Sequence, residues 1–315
     1  MTAKTVLVTG ANGFVGQAVC KHLKEKGWRV LAAVRANRPV PEGCEARPSP
    51  DLTPDADWQA ALSGATHVVH AAARVHQMGE SGDAALQAHL KANRDGTLAL
   101  ADQAQRAGVG RFVFVSTAKV MGEHNPPGQP FCDSDPPHPE DAYAISKRAA
   151  EEGLLAMPGM ACAVLRPPLV YGPRVTANLQ SLMRLIVKGY PLPFGRVANR
   201  RSLIGVGNLA SAVGHLLEHP DASGKTFLIK DLDVSTPELI QRLARALNRP
   251  ARLLPVPPAL LSFGAGLLGK GDLAERILGS LEIDDGHLRH TLGWAPKIDP
   301  AWELKRMAKA FSLDL

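Results

Sequence analysis

Short apolar runs alternate with stretches of helical spacing through the first half of the chain. Thr5–Thr9 (TVLVT) is apolar and rich in β-branched residues, which predicts a strand buried on both faces. Over residues 15–26 Val15, Val19, His22 and Leu23 recur with the spacing of one helix face, and Gly27 ends the pattern. The same reading predicts strands at residues 30–34, 66–71, 111–116 and 162–166, and helices at 58–62, 84–107 and 142–155. The Pro-rich stretch 39–54 reads mostly as loop. Strands separated by helices imply right-handed crossovers and a parallel sheet covered on both faces, an α/β fold.

After Pro167 the rhythm changes. Pro-Pro, Tyr-Gly-Pro, Pro-Leu-Pro and Pro-Val-Pro-Pro break the chain into shorter elements. We therefore expect a doubly wound domain over residues 1–167 and a smaller substrate-facing lobe over 168–315, with some of its segments returning to the first sheet. The length of 315 residues fits that division and is enough to bury a sizeable core.

Composition narrows the function classes. With 45% apolar and 21% charged residues the chain reads as globular, not disordered or fibrous. Its net charge of +6 is scattered, with no long Lys/Arg block, which speaks against a nucleic-acid surface. Cys20, Cys44, Cys132 and Cys162 form no C-x-x-C pair, and no Cys/His spacing resembles a metal site. Isolated thiols fit a reducing compartment, and we expect a cytoplasmic protein. The longest apolar run, 258–268, is about half a membrane span and reads as a buried helix, so no membrane insertion is expected.

The first motif with chemistry is Thr9-Gly10-Ala11-Asn12-Gly13-Phe14-Val15-Gly16, between a predicted strand and a predicted helix. Gly10 suits the tight turn, Gly13 lets backbone approach a pyrophosphate, and Gly16 lets helix pack on strand. The helix N-terminus offers free N–H groups to phosphate. An NAD site usually carries an acid at the end of the second strand for the ribose hydroxyls. This chain has Ala33-Val34-Arg35-Ala36-Asn37-Arg38 there. Arg35 could take the 2′-phosphate of NADP(H), which is the favoured cofactor, with NAD(H) the alternative. A second motif, Tyr143-Ala144-Ile145-Ser146-Lys147, sets Tyr and Lys one helical turn apart. A phenol titrates near 10, so a Tyr acid/base at neutral pH needs a cation beside it, and Lys147 supplies one. Ser116-Thr117, at the end of a strand, offers a hydroxyl to orient a carbonyl.

With these motifs the chain resembles the extended short-chain dehydrogenase/reductase superfamily, whose Rossmann-like members largely act on nucleotide sugars. The resemblance implies a catalytic triad of Thr117, Tyr143 and Lys147. It places Asp51 and Leu52 by the adenine, and His70-Ala71-Ala72-Ala73 on the fourth strand with Ala71, Ala72 and Ala73 at the cofactor. It also gives Asn93, with Gly96-Thr97, as the central-helix motif and Leu165-Arg166-Pro167-Pro168 with Tyr171-Gly172-Pro173 as the segment leading to the substrate, and implies that Asn93 and Pro168 bind the cofactor. Asn178, Phe194 and Arg201 fall where relatives hold UDP, and Leu292-Gly293-Trp294-Ala295-Pro296 resembles the usual C-terminal ending. A homodimer through the 84–107 and 142–155 helices is implied by the same resemblance. Arg74-Val75-His76, Asn199-Arg200-Arg201-Ser202-Leu203 and Val234-Ser235-Thr236-Pro237-Glu238-Leu239 are similar to the branch that forms UDP-N-acetylquinovosamine by reducing a UDP-4-keto-6-deoxy amino sugar.

Two departures matter. Many relatives read V-Y-G where this chain has Val120-Met121-Gly122, so Met121 either packs or lines the sugar pocket. Sugar 4,6-dehydratases carry Thr-Asp-Glu where this chain has Thr117-Ala118-Lys119, so the acid for water elimination is missing. The leading expectation is an NADP(H)-dependent reductase acting on carbon 4 of a UDP-4-keto sugar. Next is a UDP-hexose 4-epimerase with the same residues and a retained NAD. A cofactor-sensing protein without turnover ranks last, because both the glycine loop and the Tyr/Lys pair are kept.

Overall fold

The computed structural model describes residues 4–75, 82–267 and 277–313. His76, the last residue of the Arg74-Val75-His76 motif, and Leu268 lie outside them. Seven parallel strands form the main sheet: β1 (Thr5–Thr9), β2 (Arg29–Val34), β3 (Glu45–Pro48), β4 (His67–His70), β5 (Arg111–Val115), β6 (Cys162–Arg166) and β9 (Lys225–Leu228). Their spatial order is β3-β2-β1-β4-β5-β6-β9. Chain order reverses between β1 and β4, and in such sheets the ligand crevice opens at the carboxyl ends of the strands on either side of the reversal.

Helices cover both faces. On one side α1 (Phe14–Glu25) and α7 (Val206–Glu218) pack together and bury Val19, Leu23, Leu209 and Val213 against Val6, Val8 and Val113. On the other, α4 (Gly96–Arg106) and α5 (Ala142–Ala156) bury Leu100, Ala104, Ala150 and Leu154 against Leu7, Phe112 and Phe114. Alternate residues of β1, β2, β4, β5 and β6 feed the two cores, so these strands read as largely apolar runs. The short α2 (Gln59–Leu62) closes the edge near β3.

A second sheet of three strands follows. It orders β10 (Leu232–Val234), β8 (Arg201–Gly205) and β7 (Leu169–Tyr171). Around it lie α6 (Ala177–Val187), α8 (Thr236–Ala246), α9 (Pro258–Leu267), α10 (Gly286–Leu292) and α11 (Pro300–Leu313). A capping box of Ser235 and Glu238 starts α8, and Gly293, at φ +66°, ends α10.

Two expectations from the sequence need correction, and the 39–54 stretch, mostly loop as expected, holds one short strand. That strand is β3, an edge strand whose half-exposed, charged Glu-Ala-Arg-Pro sequence hides it from a hydrophobic pattern. The 84–107 helix is not uniform: α3 (Gly82–His89) passes through a π-helical turn, Leu90–Asp95, before α4. The described part of the 258–268 run, Pro258–Leu267, is helical as expected but not buried, since Leu260 is 61% and Phe263 67% exposed. Among the described residues no helix is long and apolar enough to cross a membrane.

Candidate active site

The turn between β1 and α1 is set by two glycines. Gly10 has φ +65°, and a Cβ there would lie 2.8 Å from the Ala72 nitrogen. A Cβ on Gly16 would lie 2.0 Å from the Gly10 oxygen. Gly10 accepts no side chain without moving the segment after β4, and Gly16 none without moving the turn between β1 and α1. Gly13 is exposed and extended, and no side chain caps α1. The first-turn N–H groups, with the positive end of the helix dipole, are thus left for an anion. The Asn12 amide donates to the Pro39 carbonyl and ties the loop to the segment after β2. Phe14 and Val15 are half-buried, Phe14 packing toward the C-terminal core and Val15 toward the main one.

The facing wall is built from β4. His70 is fully buried, its ring nitrogens 2.7 Å from Thr9 Oγ1 and 2.9 Å from Thr97 Oγ1. Burial, and secondarily the Lys147 charge, push the imidazole down to about 3, so it stays neutral. Thr9 Oγ1 also accepts from the Ala72 N–H at 3.3 Å. One hydroxyl therefore fixes the glycine loop against the Ala71-Ala72-Ala73 segment. Asn93, buried in the π-helical turn, reaches the same segment. Its Oδ1 accepts from Arg74 N at 2.7 Å, and its Nδ2 donates to Arg74 O and to Ser146 Oγ, each at 2.9 Å. The extra residue of a π turn changes which way such a side chain faces, and these turns concentrate at functional sites. Three residues on, Gly96 packs on the Leu52 backbone, where a Cβ would come within 2.8 Å of the Leu52 carbonyl carbon.

Helix α5 carries the Tyr/Lys pair. Asp141 caps it by accepting from Ala144 N at 2.7 Å. Tyr143 is half-buried, with the His89 ring edge-on at 6.2 Å between centroids. Burial, and then the Asp141 charge, push the phenol up to about 12. Lys147 is buried, and burial lowers its ammonium to about 7 against the opposing pull of Glu151. Its Nζ lies 3.8 Å from the centroid of the Phe114 ring. Thr117 is buried just beyond β5, at the start of a 3₁₀ turn packed on α5. The Lys119 ammonium joins that turn to α5 by pairing with Asp141, and it also pairs with Glu123. The turn thus holds Thr117 at the end of α5 that carries Tyr143.

Behind Lys147, one turn further along α5, Glu151 is buried against Arg166 in a two-point ion pair of 2.7 and 3.1 Å. Arg166 Nη1 reaches Met121 Sδ at 3.3 Å. Met121 is itself buried with Val120, Leu228 and Ile283, so of its two roles it takes packing. Lys119, where a dehydratase would carry Glu, is committed to two carboxylates.

The remaining predicted residues lie further apart. Arg35 and Asp51 are exposed, Arg35 directly after β2, and Pro168 is half-buried between β6 and β7. Asn178 is exposed in the first turn of α6, and half-buried Phe194 packs against the C-terminal core. Arg201 opens β8 and donates to Gly279 O at 3.1 Å.

The model for the NAD dependent epimerase/dehydratase family matches residues 6–229, from the first strand of the main sheet to the last. The chain belongs to this family. It is 40% identical over 314 residues to a UDP-glucose 4-epimerase of Vibrio cholerae, covering 98% of this chain and 95% of the relative. The fold matches the UDP-glucose 4-epimerase of Thermotoga maritima with a TM-score of 0.77 at 22% identity, over 98% of this chain and 99% of that one. It matches the Thermus thermophilus UDP-glucose 4-epimerase, solved with NAD, at a TM-score of 0.75 and 23% identity, over 99% of this chain and 100% of that one.

For an epimerase/dehydratase family member the cradle fits a dinucleotide on its own geometry. It has an uncapped helix end and two glycines that admit no Cβ, and just after β5, at the carboxyl edge of the same sheet, the buried Ser116 hydroxyl has no partner among the described residues. Several residues that support the site are not singled out by the sequence patterns. Glu151 follows Lys147 by four, the same helical step that separates Tyr143 from Lys147, and that spacing is a signal the sequence does carry. Phe114 and His89, and His70 beyond its place in the His70-Ala71-Ala72-Ala73 motif, act through contacts between elements distant in sequence, which no local pattern reveals.

Proposed function

We propose that this chain is a UDP-hexose 4-epimerase that keeps NAD bound through its cycle. The observation that carries this reading is the 40% identity, over nearly both full lengths, to the Vibrio cholerae UDP-glucose 4-epimerase. It reverses the order expected from the sequence, where net reduction stood first. When bound, NAD would supply the hydride acceptor and donor for carbon 4 and, in its oxidised form, a positive ring charge. The chain does the rest. Tyr143 takes the proton of the carbon-4 hydroxyl and later returns it. Burial and the Asp141 charge both oppose a Tyr143 phenolate, so the Lys147 ammonium one turn away is needed to support it. Thr117 orients the carbon-4 oxygen. Asn178, Phe194 and Arg201 hold the UDP group, and Gly10, Gly13 and Gly16 hold the pyrophosphate of the cofactor at the start of α1.

Arg35 favours a second reading. It is exposed at the end of β2 with no acid beside it in sequence, an arrangement suited to the 2′-phosphate of NADPH. In that reading the same triad reduces a UDP-4-keto-6-deoxy-N-acetylhexosamine and exchanges its cofactor every turnover. Denaturing the purified protein and identifying the released nucleotide separates the two. The epimerase should release NAD in near-equal amount with protein. Release of NADP, or of no nucleotide, is the result expected of the reductase.

A further inference from the structure

Helix α9 is apolar on every side: Pro258–Leu267 reads PALLSFGAGL, with no charge and one hydroxyl. Such a helix is normally buried in a core or in lipid. Here Leu261, Gly264 and Ala265 are half-covered while Leu260, Ser262 and Phe263 face outward. Leu260 and Phe263, three apart, share one side of the helix. Pro255, Pro257 and Pro258 set the helix off from the lobe with a stiff connection.

The exposure continues next door. Leu254 N donates to Leu192 O and Gly195 N to Leu254 O, joining the approach to α9 with the segment after α6. Leu185 and Tyr190 flank that segment, and Tyr190 N donates to Leu185 O. Of the ten exposed large apolar side chains among the described residues, five are Leu185, Tyr190, Leu254, Leu260 and Phe263. Leu185, Tyr190 and Leu254 lie in or beside the hydrogen-bonded segments and Leu260 and Phe263 follow Leu254 on α9, a concentration that marks an interaction face, not the scatter of an ordinary surface.

Charge indicates what covers it. Residues 172–217 and 239–267 contain ten Lys or Arg and no Asp or Glu. Lys188, Arg196, Arg249 and Arg252 are exposed in or beside the apolar segments, and the ion pairs of the described residues leave all four out. Arg252 donates to Gly189 O, which sets it beside Tyr190. A second copy of the chain would bring the same positive charge to this face. An anionic lipid surface is complementary in both respects, with acyl chains for Leu260 and Phe263 and phosphates for the arginines. At ten residues, about 15 Å, α9 is too short to span a bilayer and long enough to lie along one.

We propose that α9 and the adjoining 185–196 segment form a docking face for anionic phospholipid, with α9 lying in the headgroup plane. The test is co-sedimentation of the full-length protein with sucrose-loaded vesicles of phosphatidylcholine alone, or with one quarter phosphatidylglycerol, at low and high salt. Binding is expected to the anionic vesicles and to weaken at high salt. A Lys or Arg near such a surface contributes about 1 kcal/mol, roughly fivefold, so Arg249→Glu with Arg252→Glu should weaken binding by at least about 25-fold. Leu260→Asp with Phe263→Asp should abolish it while far-UV circular dichroism and thermal midpoint stay unchanged. Absence of binding to anionic vesicles, or binding that survives Leu260→Asp/Phe263→Asp, overturns the proposal. So does a dimer in sedimentation velocity that this double variant dissociates, which would assign the face to a second copy.

Discussion

The Lys147 ammonium lies over the Phe114 ring, 3.8 Å from its centroid, inside the core rather than in water. Phe114 in turn stacks on His70, with centroids 5.8 Å apart. A cation taken out of water is favoured by the face of an aromatic ring, by about 2 kcal/mol when desolvated. Phe114 thus helps keep Lys147 charged at a place where burial pulls it down to about 7. Phe114→Leu should lower the Lys147 pKa further, by about 1.5 pH units. If turnover needs the ammonium, the alkaline limb of the kcat–pH profile moves to lower pH by that amount. An unmoved limb would show that the ring does not support the charge.

Tyr143→Phe keeps the ring that meets His89 and removes the proton. The fold and the bound nucleotide should persist while turnover falls about 10²-fold or more. Thr117→Ala should cost less, because it removes an orienting hydrogen bond and leaves the proton carrier. Circular dichroism, nucleotide content and steady-state rates check all three expectations, and near-wild-type turnover in Tyr143→Phe would remove the tyrosine from the acid/base role.

Arg35→Ala separates the two cofactors. A charge-assisted contact to a 2′-phosphate contributes about 1.5–3 kcal/mol, or roughly 10- to 150-fold in affinity. NADPH binding to the nucleotide-free protein should weaken by that factor and NAD binding should not change. Calorimetric titration measures both, and equal weakening would mean that Arg35 does not read the phosphate.

His70 links the site to acid stability. Its folded pKa of about 3 lies below the ordinary value of 6.5, so the unfolded chain binds a proton that the native one refuses. Stability from this group is therefore complete above pH 6.5 and is lost as pH falls from there toward 3. Between about pH 7.5 and about pH 5 that loss amounts to about 2 kcal/mol. Urea unfolding of the nucleotide-free protein at the two pH values should show it, and His70→Gln, which cannot titrate, should lose correspondingly less.

Much of this is legible along the chain, and the exceptions have physical causes. The central strands of the main sheet stand out because both faces are buried, so each is an unbroken apolar run. β3 does not, since an edge strand with half its residues in water has no such pattern. The glycine loop can be read because three steric requirements recur at fixed spacing on one turn. The pair Tyr143 and Lys147 can be read because a helix puts i and i+4 together. The supports of that pair come from β4, β5 and α3, and only folding makes them neighbours. Residues 258–267 show the opposite failure: hydrophobicity predicts the helix correctly and its burial wrongly, because composition does not say what packs on it.

The most direct test of the proposed activity follows the hydrogen at carbon 4. UDP-glucose and UDP-N-acetylglucosamine, each deuterated at carbon 4, are incubated with the purified protein without added cofactor, and the sugars are examined by NMR. An epimerase that takes up and returns the same hydride yields the galacto sugar with deuterium still at carbon 4. If neither sugar is converted, while NADPH is consumed with a UDP-4-keto-6-deoxy-N-acetylhexosamine, the epimerase account is contradicted and the enzyme is a net reductase.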